Sequence, residues 1–181
     1  MNRWIIASDI HGSAYYCSQL MQRFEEENAD RLILLGDILY HGPRNDLPKG
    51  YAPKEVIAMI NPLKDKICCV RGNCDAEVDQ MVLDFPITDE YHILDFDGIK
   101  IYITHGHHKN IDCLPDDDSI DVLLYGHTHI PMKKQKEGIW CLNPGSVSIP
   151  KEQSEHGYMT LSEDRFEWKS LDGKVYDSLV L

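Results

Sequence analysis

Short apolar runs alternate with longer amphipathic stretches in the first half of the chain. The runs have the length and the continuous apolar character of strands buried on both faces; they occupy residues 4–7, 32–35, 67–70, 101–103 and 122–125. Between the first two runs, apolar side chains recur at helical spacing, which predicts a helix over 13–27 with Ser13 as its N-cap. A second helix is predicted over 53–61, where Pro53 suits a first turn and apolar residues share one face.

Hairpin signals dominate the second half. Asp97-Gly98 separates two apolar segments, and Asp172-Gly173 marks another tight turn. Strands that alternate with helices and are followed by hairpins predict an α/β core with two sheets and the helices outside them. The chain has 181 residues and contains no repeat, low-complexity tract or linker. We therefore predict a single domain over 1–181.

The chain is strongly acidic, with 18 Lys and Arg against 30 Asp and Glu and a net charge of −12. Such a surface repels polyanions, so general nucleic-acid binding is not expected. The first apolar run is shorter than the core of a secretory signal, and no stretch approaches the ~18 apolar residues of a membrane span. We expect a cytoplasmic protein without membrane association. An anionic substrate would need a local group that reverses the acidic background.

Each of the five predicted strands is followed at once by polar residues of metal-binding type. They are Asp9 and His11, Asp37, Asn73, His105, and His127 with His129. Ligands of α/β sheets bind beyond the carboxyl ends of the strands, so five such ends indicate one shared crevice. Residues i and i+2 of an extended strand end lie on the same side, which predicts that Asp9 and His11 face one ion. His127 and His129 share that spacing, although a loop there could direct them to two ions.

Charge and coordination favour two metal ions over one. Seven side chains are too many for one tetrahedral zinc, and with Asp37 counted twice as a bridge they supply eight positions. Two octahedral ions need about twelve, which leaves roughly four for a hydroxide, waters and substrate oxygens. Two divalent ions, two carboxylates and a hydroxide leave one net positive charge, which suits a phosphate ester. The mixed imidazole, carboxylate and amide ligands favour Mn²⁺, Fe²⁺, Zn²⁺ or Ni²⁺ over Ca²⁺.

The motifs Asp-x-His, Gly-Asp, Gly-Asn-x-Asp, His-Gly-His and Gly-His-x-His, in this order from Asp9 to about Ser148, resemble those of the calcineurin-like metallophosphoesterases. Segments 41–45, 71–75, 85–88 and 143–150 are similar to the small bacterial YfcE-type phosphodiesterases. The resemblance implies a four-layer α/β/β/α sandwich of two mixed sheets and a dinuclear centre, with Mn²⁺ expected first. It implies one ion held by Asp9, His11, Asp37 and His129, and another held by Asp37, Asn73, His105 and His127.

The resemblance also implies that a hydroxide bridging the metals attacks phosphorus in line, without a covalent phosphoenzyme. The wider family has a His at the position of Cys74, where it contacts the substrate and can protonate the leaving group. A thiol with a pKa of ~8.5 replaces an imidazolium poorly near neutral pH. We therefore expect a small phosphodiester with a good leaving group as substrate and weak action on monoesters. A packed, inert thiol is the alternative for Cys74.

Two further residues complete the predicted catalytic set with Cys74. Arg44 follows Asp37 in a glycine-proline loop and could clamp a phosphate oxygen, with a surface salt bridge as the alternative. Asp75 is expected to contact the ligands and not the metals.

A protein-binding scaffold with the metallophosphoesterase fold is the alternative function, because Cys74 departs from the family pattern. Against it, all seven ligand positions hold competent residues, which are costly to bury without a partner. A phosphomonoesterase or protein phosphatase is disfavoured by Cys74 and by a chain too short for a substrate cap. The sequence leaves open whether the chain forms a homo-oligomer.

Overall fold

The computed structural model describes residues 2–181, which form two α-helices and eleven strands. The helices are α1 (Ala14–Glu26) and α2 (Pro53–Ile60). The strands are β1 (Arg3–Ala7), β2 (Arg31–Leu34), β3 (Ile67–Cys69), β4 (Tyr91–Phe96), β5 (Ile99–Thr104), β6 (Val122–Leu124), β7 (Met132–Lys136), β8 (Ile139–Asn143), β9 (Gly157–Ser162), β10 (Arg165–Ser170) and β11 (Val175–Val180). The predicted helices and buried strands are confirmed with ends shifted by one or two residues. The Ser13 hydroxyl accepts a hydrogen bond from the Tyr16 N–H, as expected of an N-cap.

Two mixed sheets carry the fold. The six-stranded sheet has the order β11-β10-β9-β1-β2-β3, in which β1, β2 and β3 are parallel and the other neighbours antiparallel. The five-stranded sheet has the order β4-β5-β6-β8-β7, with β5, β6 and β8 parallel. Both predicted hairpins are present, as β4–β5 and β10–β11. The predicted class of two mixed sheets is therefore confirmed.

The alternating direction of side chains along each strand explains how the layers pack. On β1, Trp4 and Ile6 pack between the sheets against residues such as Ile101 and Val122 of the second sheet. Their neighbour Ile5 faces the opposite way, into the core beneath the helices. Because strands with both faces covered bury every side chain, these segments read as continuous apolar runs.

The outermost layers differ on the two sides. Both α-helices pack on the six-stranded sheet, where the apolar faces of α1 and α2 join one core. The opposite face of the five-stranded sheet is covered by Ile111, Leu114 and Ile120, which lie in the connection between β5 and β6. Within residues 2–181 this fourth layer is an irregular connection and contains no helix, unlike the outer helical layer that the resemblance implies. None of the described helices is long and apolar enough to cross a bilayer.

Candidate metal centre

All seven predicted ligands meet where the carboxyl ends of the parallel strands converge. A first group contains Asp9, His11 and His129. Its ligand atoms form a triangle, with Asp9 Oδ1 at 3.4 Å from His11 Nε2 and at 3.1 Å from His129 Nε2, and 3.2 Å between the two nitrogens. Asp37 Oδ2 lies 3.7 Å from His11 Nε2 and borders this group.

The same oxygen of Asp37 belongs to a second group. Asp37 Oδ2 lies 3.3 Å from His105 Nε2, which in turn lies 2.9 Å from Asn73 Oδ1 and 3.2 Å from His127 Nδ1. Two ligands at a right angle on an ion with bonds of ~2.1 Å stand ~3.0 Å apart. The spacing in both groups therefore matches that of ligands around two ions that share Asp37.

Backbone carbonyls fix the tautomer of three of the histidines in their neutral form. The Nδ1–H of His11 donates to the Tyr40 carbonyl at 2.7 Å, that of His105 to Leu35 at 2.6 Å, and that of His129 to Ile149 at 2.6 Å. A carbonyl can only accept, so the proton of each neutral ring is held on Nδ1. The Nε2 lone pair of each ring is thereby directed into the site, the arrangement found for metal-binding histidines.

Two features of the site fit a bound cation. In the neutral rings, the unprotonated Nε2 atoms of His11 and His129 face each other at 3.2 Å. The buried Oδ1 of Asp9 has no hydrogen-bond partner within the described chain, although its Oδ2 accepts bonds from Ser8 Oγ and from the His127 N–H. Converging lone pairs and an unpartnered buried carboxylate oxygen are costly without a positive charge between them. The residues present therefore fit the two divalent ions that the motifs predict.

The ionisation of the site follows from its neighbours. Burial opposes the charge on Asp9, yet the attraction of the adjacent His11 and His129 rings in their protonated form outweighs it and holds the pKa of Asp9 well below its usual value. Burial likewise opposes the charge on Asp37, whose pKa is lowered because His105 overcomes that effect. Burial would lower the pKa of His105, but the Asp37 carboxylate raises it to about 9. Both carboxylates are thus anionic at neutral pH.

The backbone at the ligands differs from the predicted extended strand ends. Five candidate ligands have left-handed backbone conformations, with φ between 49° and 65°: Asp9, His11, Asp37, His127 and His129. The interpretation that Asp9 and His11 face one ion because they are i and i+2 of an extended strand is therefore wrong. Tight turns bring them together, and His127 and His129 are directed to different groups. Such strained conformations are typical of functional sites.

The Asp75 carboxylate binds backbone N–H groups next to the ligands. Its Oδ2 accepts hydrogen bonds from the Asp37 and Gly72 N–H groups, both at 2.8 Å, and its Oδ1 accepts one from Ile38 at 2.9 Å. Gly72 packs so closely on Asp37 that any side chain at position 72 would collide with it. Asp75 therefore contacts the site through the backbone of Asp37, and we propose that it positions that residue.

The centre opens into a cleft of about 450 Å³. It is lined by Asp37, Gly42, Pro43, Arg44, Asn45, Asn73, Cys74, His127, Thr128, His129 and Lys151. Arg44 is exposed there, with no carboxylate within 4 Å of its guanidinium in the part of the chain that the structure describes, so the salt-bridge alternative is not observed. Sequence reasoning missed Lys151, whose N–H donates to the His129 carbonyl at 3.1 Å. The two side chains bring positive charge to an acidic protein.

Cys74 lies at the edge of this cleft. Its N–H donates to Asp37 Oδ1 at 2.8 Å, and Asn73 Nδ2 donates to its sulfur at 3.3 Å. Burial and the nearby carboxylate of Asp37 raise the pKa of the thiol to about 12. The thiol is therefore neutral at physiological pH and is a weak proton donor.

Comparison with known proteins shows similarity along nearly the whole chain. The calcineurin-like phosphoesterase superfamily domain matches residues 3–165. The phosphodiesterase YfcE of Escherichia coli is 45% identical over 164 residues, which cover 91% of this chain and 89% of that protein. Its solved structure superposes with a TM-score of 0.94 at 42% identity, covering 98% of each chain. The phosphodiesterase MJ0936 of Methanocaldococcus jannaschii is 26% identical over 147 residues, covering 77% of this chain and 81% of that protein.

Proposed function

The chain belongs to the calcineurin-like phosphoesterase superfamily and is a metal-dependent phosphoester hydrolase, and we propose that it cleaves small phosphodiesters at a centre of two divalent ions. The observation that carries the proposal is the position of Asp37 Oδ2. It lies 3.7 Å from His11 Nε2 in the first group and 3.3 Å from His105 Nε2 in the second. One carboxylate between two ligand groups is the arrangement that a pair of bridged ions requires.

Each ion would be held by four side chains. One set would be Asp9, His11, Asp37 and His129, and the other Asp37, Asn73, His105 and His127. Imidazole, carboxylate and amide ligands together suit Mn²⁺, with Zn²⁺, Fe²⁺ and Ni²⁺ as alternatives. When bound, the two ions would supply a nucleophilic hydroxide at neutral pH and withdraw charge from the phosphoryl oxygens.

The chain's own residues would select and orient the substrate. Arg44 and Lys151 line the cleft and attract an anion into a protein of net charge −12. A guanidinium can hold a phosphate oxygen with two hydrogen bonds, which would orient the ester across the centre. The neutral Cys74 thiol donates a proton poorly, so a leaving group must depart without one. The site would therefore favour aryl over alkyl leaving groups, and we expect it to act on diesters in preference to monoesters.

Metal stoichiometry tests the dinuclear proposal separately from catalysis. Chelated protein is titrated with Mn²⁺ by calorimetry, and the loaded protein is examined by electron paramagnetic resonance. We expect two ions per chain and a spin-coupled pair. Asp37→Asn should abolish the coupled signal, whereas Asp118→Asn, which removes the same charge from an exposed position, should preserve it. A single uncoupled ion in the unmodified protein would exclude the dinuclear centre.

A further inference from the structure

A second cavity, of about 770 Å³, opens beside the metal cleft. The two cavities share four residues: Pro43, Arg44, Asn73 and Cys74. Because Asn73 belongs to the proposed ligand set, the second cavity begins at the metal centre. It leads away from it toward the 3₁₀ helix Glu77–Met81. A phosphodiester carries two ester arms on one phosphorus, so a substrate held in the cleft needs space beyond it for an arm.

One side of the second cavity is apolar and aromatic. Tyr40, Pro43 and Val78 line it, and the side chains of Tyr40 and Val78 are left 43% and 61% exposed. The backbone at Tyr40 is held in place because its carbonyl accepts the His11 Nδ1–H. A phenol ring and a branched aliphatic side chain left exposed beside an active site offer packing surface to a planar ring.

The other side carries positive charge. Arg44 and Arg71 both line the cavity, and neither guanidinium lies within 4 Å of a carboxylate anywhere in residues 2–181. Arg71 Nε donates to the Asp75 carbonyl at 3.4 Å, and its terminal nitrogens make no hydrogen bond within the described residues. The Asp75 carboxylate is occupied by three backbone N–H groups, so Glu77 is the remaining free acid of the lining. The two guanidinium groups, free of carboxylate partners within the described chain, remain available to bind an anion.

We propose that the second cavity binds one ester arm of the diester, and that it prefers an arm with both a planar ring and a negative charge, as in a nucleotide. The inference rests on the proposed phosphodiesterase function and specifies its substrate class. Tyr40, Pro43 and Val78 would pack against the ring and Arg71 would pair with the charge, while Arg44, which borders both cavities, would hold the phosphate that is cleaved. A volume of about 770 Å³ is within the ~300–1,000 Å³ of small-molecule and cofactor sites.

Three substrates with one leaving group test the preference. They are methyl p-nitrophenyl phosphate, thymidine 5′-(p-nitrophenyl phosphate), and the same nucleoside ester with an added 3′-phosphate. All release p-nitrophenol, so differences in kcat/KM report the retained arm. We expect kcat/KM to rise along the series, by about tenfold for the ring and about tenfold again for the charge. A flat series would overturn the proposal.

Variants locate the preference in the second cavity, with the methyl ester as internal reference in each protein. Val78→Trp should fill the cavity and lower both the nucleoside-to-methyl and the nucleotide-to-methyl ratio. Arg71→Gln should lower only the gain from the added phosphate. Val82→Trp and Arg165→Gln make the same changes outside the cavity and should leave the ratios unaltered. If both kcat/KM ratios are unchanged in Val78→Trp and Arg71→Gln, the proposal is overturned.

Binding measurements separate this inference from the proposed activity. Thymidine 3′,5′-bisphosphate has no diester bond to cleave, and its dissociation constant is measured by calorimetry on the same variants. If none of the three esters is hydrolysed, the proposed function fails. The cavity is then judged by whether Val78→Trp and Arg71→Gln weaken bisphosphate binding about tenfold while Val82→Trp does not. Equal binding in all proteins, or none in the unmodified chain, would overturn the assignment.

Discussion

His11 Nε2 lies 3.2 Å from His129 Nε2, and in the neutral rings neither nitrogen carries a proton. Each ring donates its one proton to a backbone carbonyl through Nδ1, so two lone pairs face each other beside the buried Oδ1 of Asp9. A positive charge at this point converts repulsion into attraction. Folding is therefore coupled to metal binding at pH values where the two rings are neutral.

Metal removal should lower thermal stability at pH 8. Ions that bind only the folded protein stabilise it by about 2.7 kcal/mol at a hundred times their dissociation constant. For a chain of this length that corresponds to a fall in Tm on the order of 5–10 °C for each ion removed. Calorimetry of chelated protein before and after addition of Mn²⁺ measures it. Identical melting temperatures would mean that these side chains do not bind an ion.

Asp75→Asn should weaken metal binding although Asp75 is not a proposed ligand. The amide replaces one acceptor oxygen with a donor that opposes the N–H groups of Asp37, Gly72 or Ile38. Residues that orient metal ligands typically contribute 10- to 100-fold in affinity. Calorimetric titration with Mn²⁺ should show a loss of about that size, with an unchanged circular dichroism spectrum. Affinity equal to that of Asp118→Asn would exclude the positioning role.

Cys74→His should raise activity, most for esters whose leaving group needs a proton. The sulfur lies at the edge of the cleft, and the pKa of the thiol is raised to about 12 by burial and by Asp37. An imidazolium at this position is a far better acid near pH 7, and general acids contribute ~10²–10⁴-fold. Rates with an aryl diester and an alkyl ester are compared in both proteins. An unchanged or lower rate with the alkyl ester would count against this explanation of Cys74.

The fold could be predicted largely because buried parallel strands read as continuous apolar runs. The two helices could also be predicted, because Ser13 and Pro53 mark their beginnings. The irregular outer layer was not predicted, because Ile111, Leu114 and Ile120 are spaced irregularly in an aspartate-rich stretch. Nothing local in that stretch indicates which of its side chains turn inward.

The ligand types could be read from the sequence, but their backbone geometry could not. The turns at Asp9 and His11 are fixed by N–H groups that donate to Gly36 at 3.1 Å and to Asp37 at 2.9 Å, contacts between distant parts of the chain. Lys151 was missed for a related reason: the hydrogen bond of its N–H to His129 brings it to the cleft, and no motif contains it. Tertiary contacts determine both features.

Glu27→Gln should destabilise the protein in a pH-dependent way, far from the metal centre. The Glu27 carboxylate accepts hydrogen bonds from Lys169 Nζ at 2.7 Å, Arg3 Nη1 at 2.8 Å and the Tyr158 hydroxyl at 3.2 Å. Burial opposes its charge, but Lys169 outweighs that effect and lowers the pKa of Glu27. A lowered pKa in the folded state stabilises the protein above the unfolded value of ~4.3. That stability is lost as the pH falls through the folded value.

Urea unfolding of chelated protein measures this contribution without interference from metal loss. At pH 7 the Gln variant should be less stable by about 2 kcal/mol. The difference should be smaller at about pH 3.5, below the unfolded value of ~4.3, because the unfolded carboxylate takes up its proton before the folded one does. An equal difference at the two pH values would show that shape, and not charge, explains the role of Glu27.

The central claim is tested most directly by hydrolysis of bis(p-nitrophenyl) phosphate. Release of p-nitrophenol is followed with chelated protein before and after Mn²⁺ is restored, alongside p-nitrophenyl phosphate, Asp37→Asn and the Asp118→Asn control. We predict no turnover without metal and rapid cleavage of the diester with metal, with little action on the monoester. Asp37→Asn should lose at least 10²-fold in rate and Asp118→Asn none. Metal that binds tightly while neither ester is cleaved would contradict the account and favour a protein-binding scaffold.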